Sequence, residues 1–267
     1  MIKFNNIVIN QERFGDGTLK CDAVNGSVIN SASNEFTWLY DNDSELFTLY
    51  CLVKDIQTRM PQSKNILYMP YIPHARQDRN VSGRLFTLKS FSEIINSLNF
   101  SLVVVLDPHS DVSTALIDRC LCDYPSRLED KICGEADAIM FPDAGAAKKY
   151  PVYGMKCIVG NKHRNTEGRI DSYDLLNFEE GVKRVVIRDD ICSYGGTFVA
   201  AAKALRARGV EHITLVVSHC ENNILKGEVF NYVDKVITTD SICTIEHPKL
   251  EFAVKYRALE GYPNVQD

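Results

Sequence analysis

Residues 185–198 read VVIRDDICSYGGTF, and the fold follows from this stretch. Three β-branched residues lead into Asp189-Asp190, Ile191 to Tyr194 cross a short loop, and Gly195-Gly196-Thr197 opens the alanine-rich run FVAAAKALRA. An apolar run of this kind predicts a strand covered on both faces, as in a parallel sheet between helices. Adjacent glycines let the backbone approach a phosphate closely, the amide N–H groups of the helix start point at it, and Thr197 adds a hydroxyl. Asp189 and Asp190 cannot bind phosphate themselves; they suit ribose hydroxyls or a hydrated Mg²⁺. Gly-Gly-Thr alone is also an ordinary glycine-capped turn, and the acidic pair at the strand end argues against that reading.

Working outward, the same alternation continues on both sides. HITLVVSH (212–219) and KVITTD (235–240) read as strands, with a helix near Asn223–Phe230 between them. Upstream, NILYMP (65–70), LVVVLDP (102–108), DAIMFPD (137–143) and MKCIVG (155–160) read as strands. Helices are predicted from Asp43, over 88–98, near 112–120 and over 144–150. From Asp43 the apolar residues Leu46, Leu49, Tyr50 and Val53 share one helical face. The first forty residues read as short strands, IKFNNIVI, RFGDGTLKCDA, SVIN and EFTWLY, with a hairpin turn at Asn25-Gly26. The fold class is α/β, with mainly parallel sheets flanked by helices and an N-terminal β-hairpin.

The pattern is doubled. LVVVLDPHSDVSTALIDRC and the stretch from Val185 are each an apolar strand ending in a carboxylate, then a loop and a helix. Two α/β halves are therefore expected, meeting around residues 120–135 in the polar connection CDYPSRLEDKICGEAD, with domains at 1–124 and 125–267. The last residues are expected to pack back on the first half.

The chain of 267 residues is 45% apolar and 24% charged, which excludes a disordered tail, a collagen-like fibre and a disulfide-stapled module. Thirty Lys+Arg against 35 Asp+Glu give a net charge of −5, so no global basic field attracts nucleic acid or anionic lipid. No apolar run approaches the ~18 residues of a membrane span, and the N-terminus lacks the basic flank and apolar core of a signal peptide. Nine cysteines without CxxC or HxxxH spacing read as free thiols in a reducing, cytoplasmic compartment.

Ligands of open α/β sheets bind at the carboxyl ends of strands, and polar clusters stand at the other junctions too. Arg76-Gln77-Asp78-Arg79 puts two guanidinium groups and an amide on one loop, able to orient a triphosphate while Asp78 holds an arginine. His109 follows LVVVLDP and can meet a phosphate or a metal-bound water. Asp143 sits in a tight Pro-Asp-Ala-Gly turn that aims a carboxylate at Mg²⁺ or a sugar hydroxyl, or caps the following helix. Lys162-His163-Arg164 lies in the polar stretch GNKHRNTEGR, read as a mobile loop. Phe14, beside Asp16 and Gly17, is an aromatic at the edge of a short N-terminal segment, where core packing is one reading.

Taken in order from Phe14 to His219, RFGDGT, YMPYIPHARQDR, LDPHSD, FPDAGAAKKY and VVIRDDICSYGGTF resemble segments of the ribose-phosphate pyrophosphokinases, the PRPP synthetases. The resemblance implies two tandem phosphoribosyltransferase-like domains, an N-terminal ATP-binding half and a C-terminal ribose-phosphate-binding half. It also implies Mg²⁺-dependent transfer of the β,γ-diphosphate of ATP to the 1-hydroxyl of ribose 5-phosphate, in a homo-oligomer. By the same resemblance Lys162, Arg164 and His109 are catalytic. Phe14, Asp16, Arg76, Gln77, Asp78 and His109 bind ATP. Asp143, Asp189, Asp190, Ser193, Tyr194, Gly195, Gly196 and Thr197 bind the ribose phosphate, and His109 and Asp143 contact the metal.

The departures from the family bear on the acceptor pocket and on the regulatory contacts. Ser193 stands where the family has a third acidic residue, Tyr194 is bulky, His74 is unusual in its loop, and Thr18 replaces a glutamate. The family's opening strand and helix have no counterpart ahead of the hairpin, and the C-terminal end is short. Three alternatives stay open: the same chemistry on a 5-phosphate-substituted ribose such as ADP-ribose, in NAD metabolism; a non-catalytic synthetase-associated subunit; and a phosphoribosyltransferase.

Overall fold

The computed structural model describes residues 1–132, 136–152, 154–164 and 170–258, with the backbone alone at 164, 170 and 171. The chain divides into two compact units, Met1–Tyr124 and Pro125–Asp267. The residues 259–267, on which packing back onto the first half was expected, lie outside the described residues.

The first unit contains β1 (Ile2–Phe4), β2 (Ile7–Val8), β3 (Gln11–Arg13), β4 (Leu19–Cys21), β5 (Ser33–Trp38), α1 (Ser44–Arg59), β6 (Lys64–Met69), α2 (Thr87–Ser97), β7 (Leu102–Leu106), α3 (Asp111–Leu116) and β8 (Cys120–Asp123). Its six-stranded sheet has the order β2-β1-β5-β6-β7-β8. Strands β5 to β8 run parallel, and β1 is antiparallel to both of its neighbours. Phe4, Phe36 and Phe100 meet edge to face at 5.0 and 5.7 Å in its core. Hairpin β3–β4 stands as a separate two-stranded sheet, with Arg13 paired to Leu19.

Two local readings of this unit change. IKFNNIVI is a hairpin, not one strand, because Asn5 and Asn6 adopt φ of 46° and 67°, the two-residue turn whose twist matches the flanking strands. Asn25-Gly26 makes no β-hairpin: Asn25 caps a single 3₁₀ turn, Gly26–Val28, by accepting the Ser27 N–H at 3.0 Å. Both outcomes follow from short asparagine side chains that tolerate left-handed backbone or bond locally, a choice that tertiary pairing decides.

The second unit contains α4 (Ser126–Ile132), β9 (Ala138–Phe141), α5 (Ala144–Lys149), β10 (Lys156–Arg164), β11 (Ile170–Leu176), β12 (Arg184–Cys192), α6 (Gly196–Ala207), β13 (His212–Cys220), α7 (Val229–Tyr232), β14 (Lys235–Thr239) and β15 (Leu250–Val254). The sheet order is β11-β10-β9-β12-β13-β14-β15, parallel throughout except for the β10–β11 hairpin. Strand β12 lies inside it. Val185 and Ile187 face one apolar cluster with Phe198 and Leu205 of α6, and Val186 faces another with Leu128, Phe141 and Tyr150.

Here the sequence pattern understates the regular structure. The polar connection carries α4, whose Leu128 and Ile132 are buried. The residues around Lys162, read as a loop, extend β10 and pair with β11, Lys162 opposite Tyr173. The helix expected over Asn223–Phe230 resolves into a 3₁₀ turn, Asn222–Lys226, and the short α7.

Candidate active site

In the second unit two strand ends, those of β9 and β12, bring acidic side chains to one region. Asp143 follows β9 and caps α5, its Oδ1 accepting the N–H groups of Gly145 at 3.0 Å and Ala146 at 3.1 Å. Its other oxygen accepts from Lys162 Nζ at 2.8 Å, so the hairpin β10–β11 reaches back to this carboxylate. Burial works to raise the Asp143 pKa, but the Lys162 ammonium and the two amides outweigh it and hold the carboxyl below its ordinary value. The Arg164 side chain is not among those described.

Asp189 and Asp190 lie within β12, which runs on to Cys192. Burial, reinforced by Asp190 and by Asp143, pushes the Asp189 carboxyl well above its ordinary value. Asp190 is 7% exposed, and its N–H donates to Asp189 Oδ1 at 2.9 Å. Beneath this acidic end Arg188 is fully buried, its guanidinium 4.0 Å from the centre of the Tyr150 ring. It donates to Ser218 Oγ at 3.1 Å, to Glu129 Oε1 at 3.2 Å and to the carbonyl of Asp189. A buried guanidinium demands such partners, and these tie the β12 backbone to α4 and β13.

The loop after β12 has the geometry of an anion cradle. Gly195 adopts φ of +77°, and a Cβ there would fall 2.0 Å from Val229 Cγ2, so no other residue fits without displacing α7. Gly196 is exposed, Thr197 is half-buried, and α6 begins there with its first amides unsatisfied by any side-chain cap. Ser193 Oγ donates to Glu221 Oε2 at 2.5 Å, and Tyr194 is 55% exposed.

Tyr173 was not singled out from the sequence. Its hydroxyl donates to the Pro142 carbonyl at 2.9 Å, passing over Gly160, where a Cβ would lie 2.0 Å from that hydroxyl. Burial pushes the phenol pKa up, and the nearby Asp143 and Asp189 add to the shift, which places Tyr173 beside the acidic pair. Only the β10–β11 register brings it there, and sequence pattern does not specify that register.

In the first unit the strand ends carry exposed cations. Arg76, Gln77 and Arg79 are exposed, whereas Asp78 is buried and accepts from Arg79 Nε at 3.0 Å. Burial tends to raise the Asp78 pKa, but Arg79, with a smaller contribution from His109, holds it below the ordinary value. Gln77 Oε1 accepts from Thr87 Oγ1 at 2.6 Å, anchoring this loop to α2. His74, at φ of 64°, reaches Asp43 at 3.1 Å and so ties the other end of the loop to the start of α1.

His109 is exposed just after β7, and the residue before Pro108, Asp107, is fully buried at φ of 39°. A non-glycine residue held there is strained, and such strain concentrates at functional sites. Phe14 is 56% exposed at the tip of hairpin β3–β4 rather than in the core. Asp16 shapes that tip by accepting the Thr18 N–H and hydroxyl at 2.9 and 2.7 Å.

The donor set suits Mg²⁺ of one kind. Among the described residues no three or more His, Cys, Asp or Glu side chains converge as a ready-made metal cage. Mg²⁺ commonly takes one or two carboxylates and completes its shell with water and substrate phosphate oxygens, and the Asp143–Asp189–Asp190 region offers carboxylates of that sort.

Parallel strands, an acidic pair at a strand end, and a glycine loop at a helix start define an α/β protein built of two mainly parallel sheets. The fold is that of a phosphoribosylpyrophosphate synthetase: the enzyme from Mycobacterium smegmatis superposes with a TM-score of 0.69 at 18% identity, over 92% of this chain and 86% of its own. In sequence the chain is related to the ribose-phosphate pyrophosphokinases over most of its length. It is 27% identical over 219 residues to that of Marinomonas sp. (strain MWYL1), covering 76% of this chain and 67% of the relative. Against that of Vibrio vulnificus (strain YJ016) it is 27% identical over 247 residues, covering 86% and 77%. No family model matches the chain.

Proposed function

We propose that the protein is a Mg²⁺-dependent pyrophosphokinase that moves the β,γ-diphosphate of ATP to the 1-hydroxyl of ribose 5-phosphate, giving PRPP and AMP. The observation that carries this reading is the Lys162–Asp143 pair, 2.8 Å long, beside the acidic end of β12. A cation delivered by a β-hairpin next to carboxylates and a phosphate-type loop suits diphosphoryl transfer, in which positioning and charge stabilisation dominate.

In this reading Asp189 and Asp190 hold the ribose hydroxyls, and Ser193 to Thr197 hold the 5-phosphate with the α6 amides. Lys162 leaves Asp143 for the transferred phosphoryl group, and Arg164 is its companion cation. Arg76, Gln77, Asp78 and His109 form the ATP-binding surface of the first unit, with Phe14 and Asp16 on the hairpin. Mg²⁺ would supply neutralisation of phosphate oxygens, with Asp143 and His109 as the side chains proposed to contact it. A homo-oligomer and a cytoplasmic location belong to the same proposal; among the described residues no helix is long and apolar enough to cross a membrane.

A second reading keeps the chemistry and changes the acceptor to a ribose whose 5-phosphate bears a further group, as in ADP-ribose. It is favoured by the exposed Tyr194 ring beside the loop, which is placed to stack on such an extension. Incubation with ATP, Mg²⁺ and each acceptor decides. AMP release with ribose 5-phosphate supports the first reading. A higher kcat/KM for ADP-ribose, with Tyr194→Ala damaging that acceptor more, supports the second. No AMP with either acceptor refutes both and leaves the transferase and the non-catalytic subunit.

A further inference from the structure

Strands β12 and β13 pair in register up to Cys192 and Cys220. The pairing runs one step further: the Glu221 N–H donates to the Cys192 carbonyl at 2.8 Å. Glu221 is thereby held opposite Ser193, the first residue of the glycine loop. Its Oε2 accepts from Ser193 Oγ at 2.5 Å and from Asn223 Nδ2 at 3.2 Å. Glu221 also occupies the capping position of the 3₁₀ turn Asn222–Lys226, yet its carboxylate makes no cap hydrogen bond to that turn. The carboxylate reaches the loop at Ser193 and, within the turn, the side chain of Asn223.

We propose that Glu221 is a positioning residue of the acceptor site, supplying from the end of β13 the acidic group that the loop itself lacks at Ser193. A loop that closes around a phosphate must present its amides in one arrangement before the ligand arrives, or ordering them subtracts from affinity. A charge-assisted hydrogen bond at the loop's first residue does this, and it is stronger than a neutral one. Farther along, the loop is pinned again at Gly195 against Val229. The segment between these two anchors is Tyr194, so Glu221 also sets where that ring stands. The inference rests on the acceptor reading above, but not on which of the two acceptors is used.

The test transplants the carboxylate. Binding of ribose 5-phosphate and of ADP-ribose is measured by calorimetry on the full chain as wild type, as Glu221→Gln and as the double variant Ser193→Asp/Glu221→Gln, with ATP binding as the control. Glu221→Gln is expected to weaken the acceptor by about tenfold to a hundredfold, the loss of one charge-assisted bond, with ATP binding unchanged. The double variant is expected to recover most of the loss, because an acid is back at the loop's root. Recovery separates positioning from a folding defect, since a damaged fold is not repaired by a second substitution in the loop. Unchanged acceptor binding in Glu221→Gln, or a loss that the double variant does not recover, overturns the proposal; so does a wild type that binds neither acceptor. Acceptor binding without AMP release would sink the pyrophosphokinase reading while leaving the role of Glu221 to be judged by the variants.

Discussion

The two units share one architecture and finish it with opposite charge. Each has a central run of parallel strands whose carboxyl ends carry polar groups. In the first unit those groups are exposed basic side chains, the guanidinium groups of Arg76 and Arg79 and the imidazole of His109, with Asp78 buried. In the second they are carboxylates, with Asp190 buried, Asp189 driven upward in pKa, and Lys162 and Arg188 brought in around them. Exposed guanidinium groups stay hydrated until a polyanion arrives and contribute little to the fold. Packed carboxylates are costly to keep ionised, and that cost is offset when a cation or a sugar binds. The same scaffold thus yields an exposed basic surface in one half and a packed acidic strand end in the other. Substitutions at the buried acidic and loop positions of the second unit should alter both stability and activity, those in the first unit mainly binding.

The largest effect is expected at the junction of hairpin and acid. Lys162→Ala removes the ammonium from Asp143 and from the transferred phosphoryl group, and kcat for AMP release should fall by roughly 10²- to 10³-fold. Lys162 is only partly buried, its side chain 27% exposed, so thermal unfolding should move by no more than a degree or two. Activity within a few-fold of wild type would break the comparison at its centre, because the second unit would then work without its cation.

How far the sequence carried this argument depends on the range of each interaction. The fold class was legible because apolar runs such as VVI before Asp189 can only be strands covered on both faces. Read by itself, RFGDGTLKCDA gives one short strand with the hairpin signal later, at Asn25-Gly26; the β3–β4 turn inside it, around Gly15-Asp16-Gly17, is expected only from the family resemblance. Lys162 was mistaken for a loop residue because GNKHRN is polar, and the inward residues of that stretch, Gly160 and Lys162, carry no apolar side chain to mark the strand. Tyr173 and Glu221 were missed for one reason: each reaches the site through strand pairing, Tyr173 within the β10–β11 hairpin and Glu221 at the end of β13 beside β12, and register across a sheet leaves no local pattern. Arg188 was read past because nothing local says that a charged residue inside an apolar strand will stack on Tyr150 and meet Glu129.

The second test sharpens the claim that the second unit is packed at its strand end. Gly195→Ala forces a side chain into a left-handed backbone and drives its Cβ to within 2.0 Å of Val229 Cγ2. Backbone strain and overpacking together are worth about 2–4 kcal/mol, which should lower Tm by roughly 5–15 °C. Val229→Ala in the same chain should return part of that loss by clearing the overlap. A Gly195→Ala variant as stable as wild type would show that the loop is not braced as described.

A third prediction separates function from stability. Because the Asp189 carboxyl is raised by burial and by its acidic neighbours, ionising it destabilises the folded state. That penalty is absent below the unfolded carboxylate pKa, grows as pH rises towards the raised folded value, and is complete above it. Asp189→Asn should therefore raise Tm by about 2–6 °C near neutral pH while abolishing acceptor binding. The difference in Tm should shrink as the pH falls and vanish only well below the ordinary carboxylate pKa of roughly 3.9, where wild-type Asp189 is protonated in both states. A Tm gain that is independent of pH would assign the effect to packing and remove the electrostatic half of the comparison.

The smallest expected effect lies in the first unit, at the tip of its hairpin. Phe14 is 56% exposed and is held in place by the turn that Asp16 and Thr18 build beneath it, so its ring buries little in the folded chain. Phe14→Ala should leave Tm within a degree of wild type, since an exposed aromatic contributes little to a core. If the ring stacks on a nucleobase, the same change should raise the KM for ATP by about 3- to 20-fold, the worth of one aromatic stacking contact, with the acceptor KM unchanged. The homo-oligomer proposal adds a sharper version. Where the hairpin serves a neighbouring copy, mixing Phe14→Ala with Lys162→Ala should regain activity that neither variant has alone, because some sites then combine an intact ring with an intact lysine. Simple averaging of the two activities on mixing, together with full activity of wild type at dilutions where it sediments as a monomer, would confine the hairpin to its own chain. An unchanged KM for ATP in Phe14→Ala would instead show that the exposed ring has no part in nucleotide binding, leaving the cation loop around Arg76 to carry it.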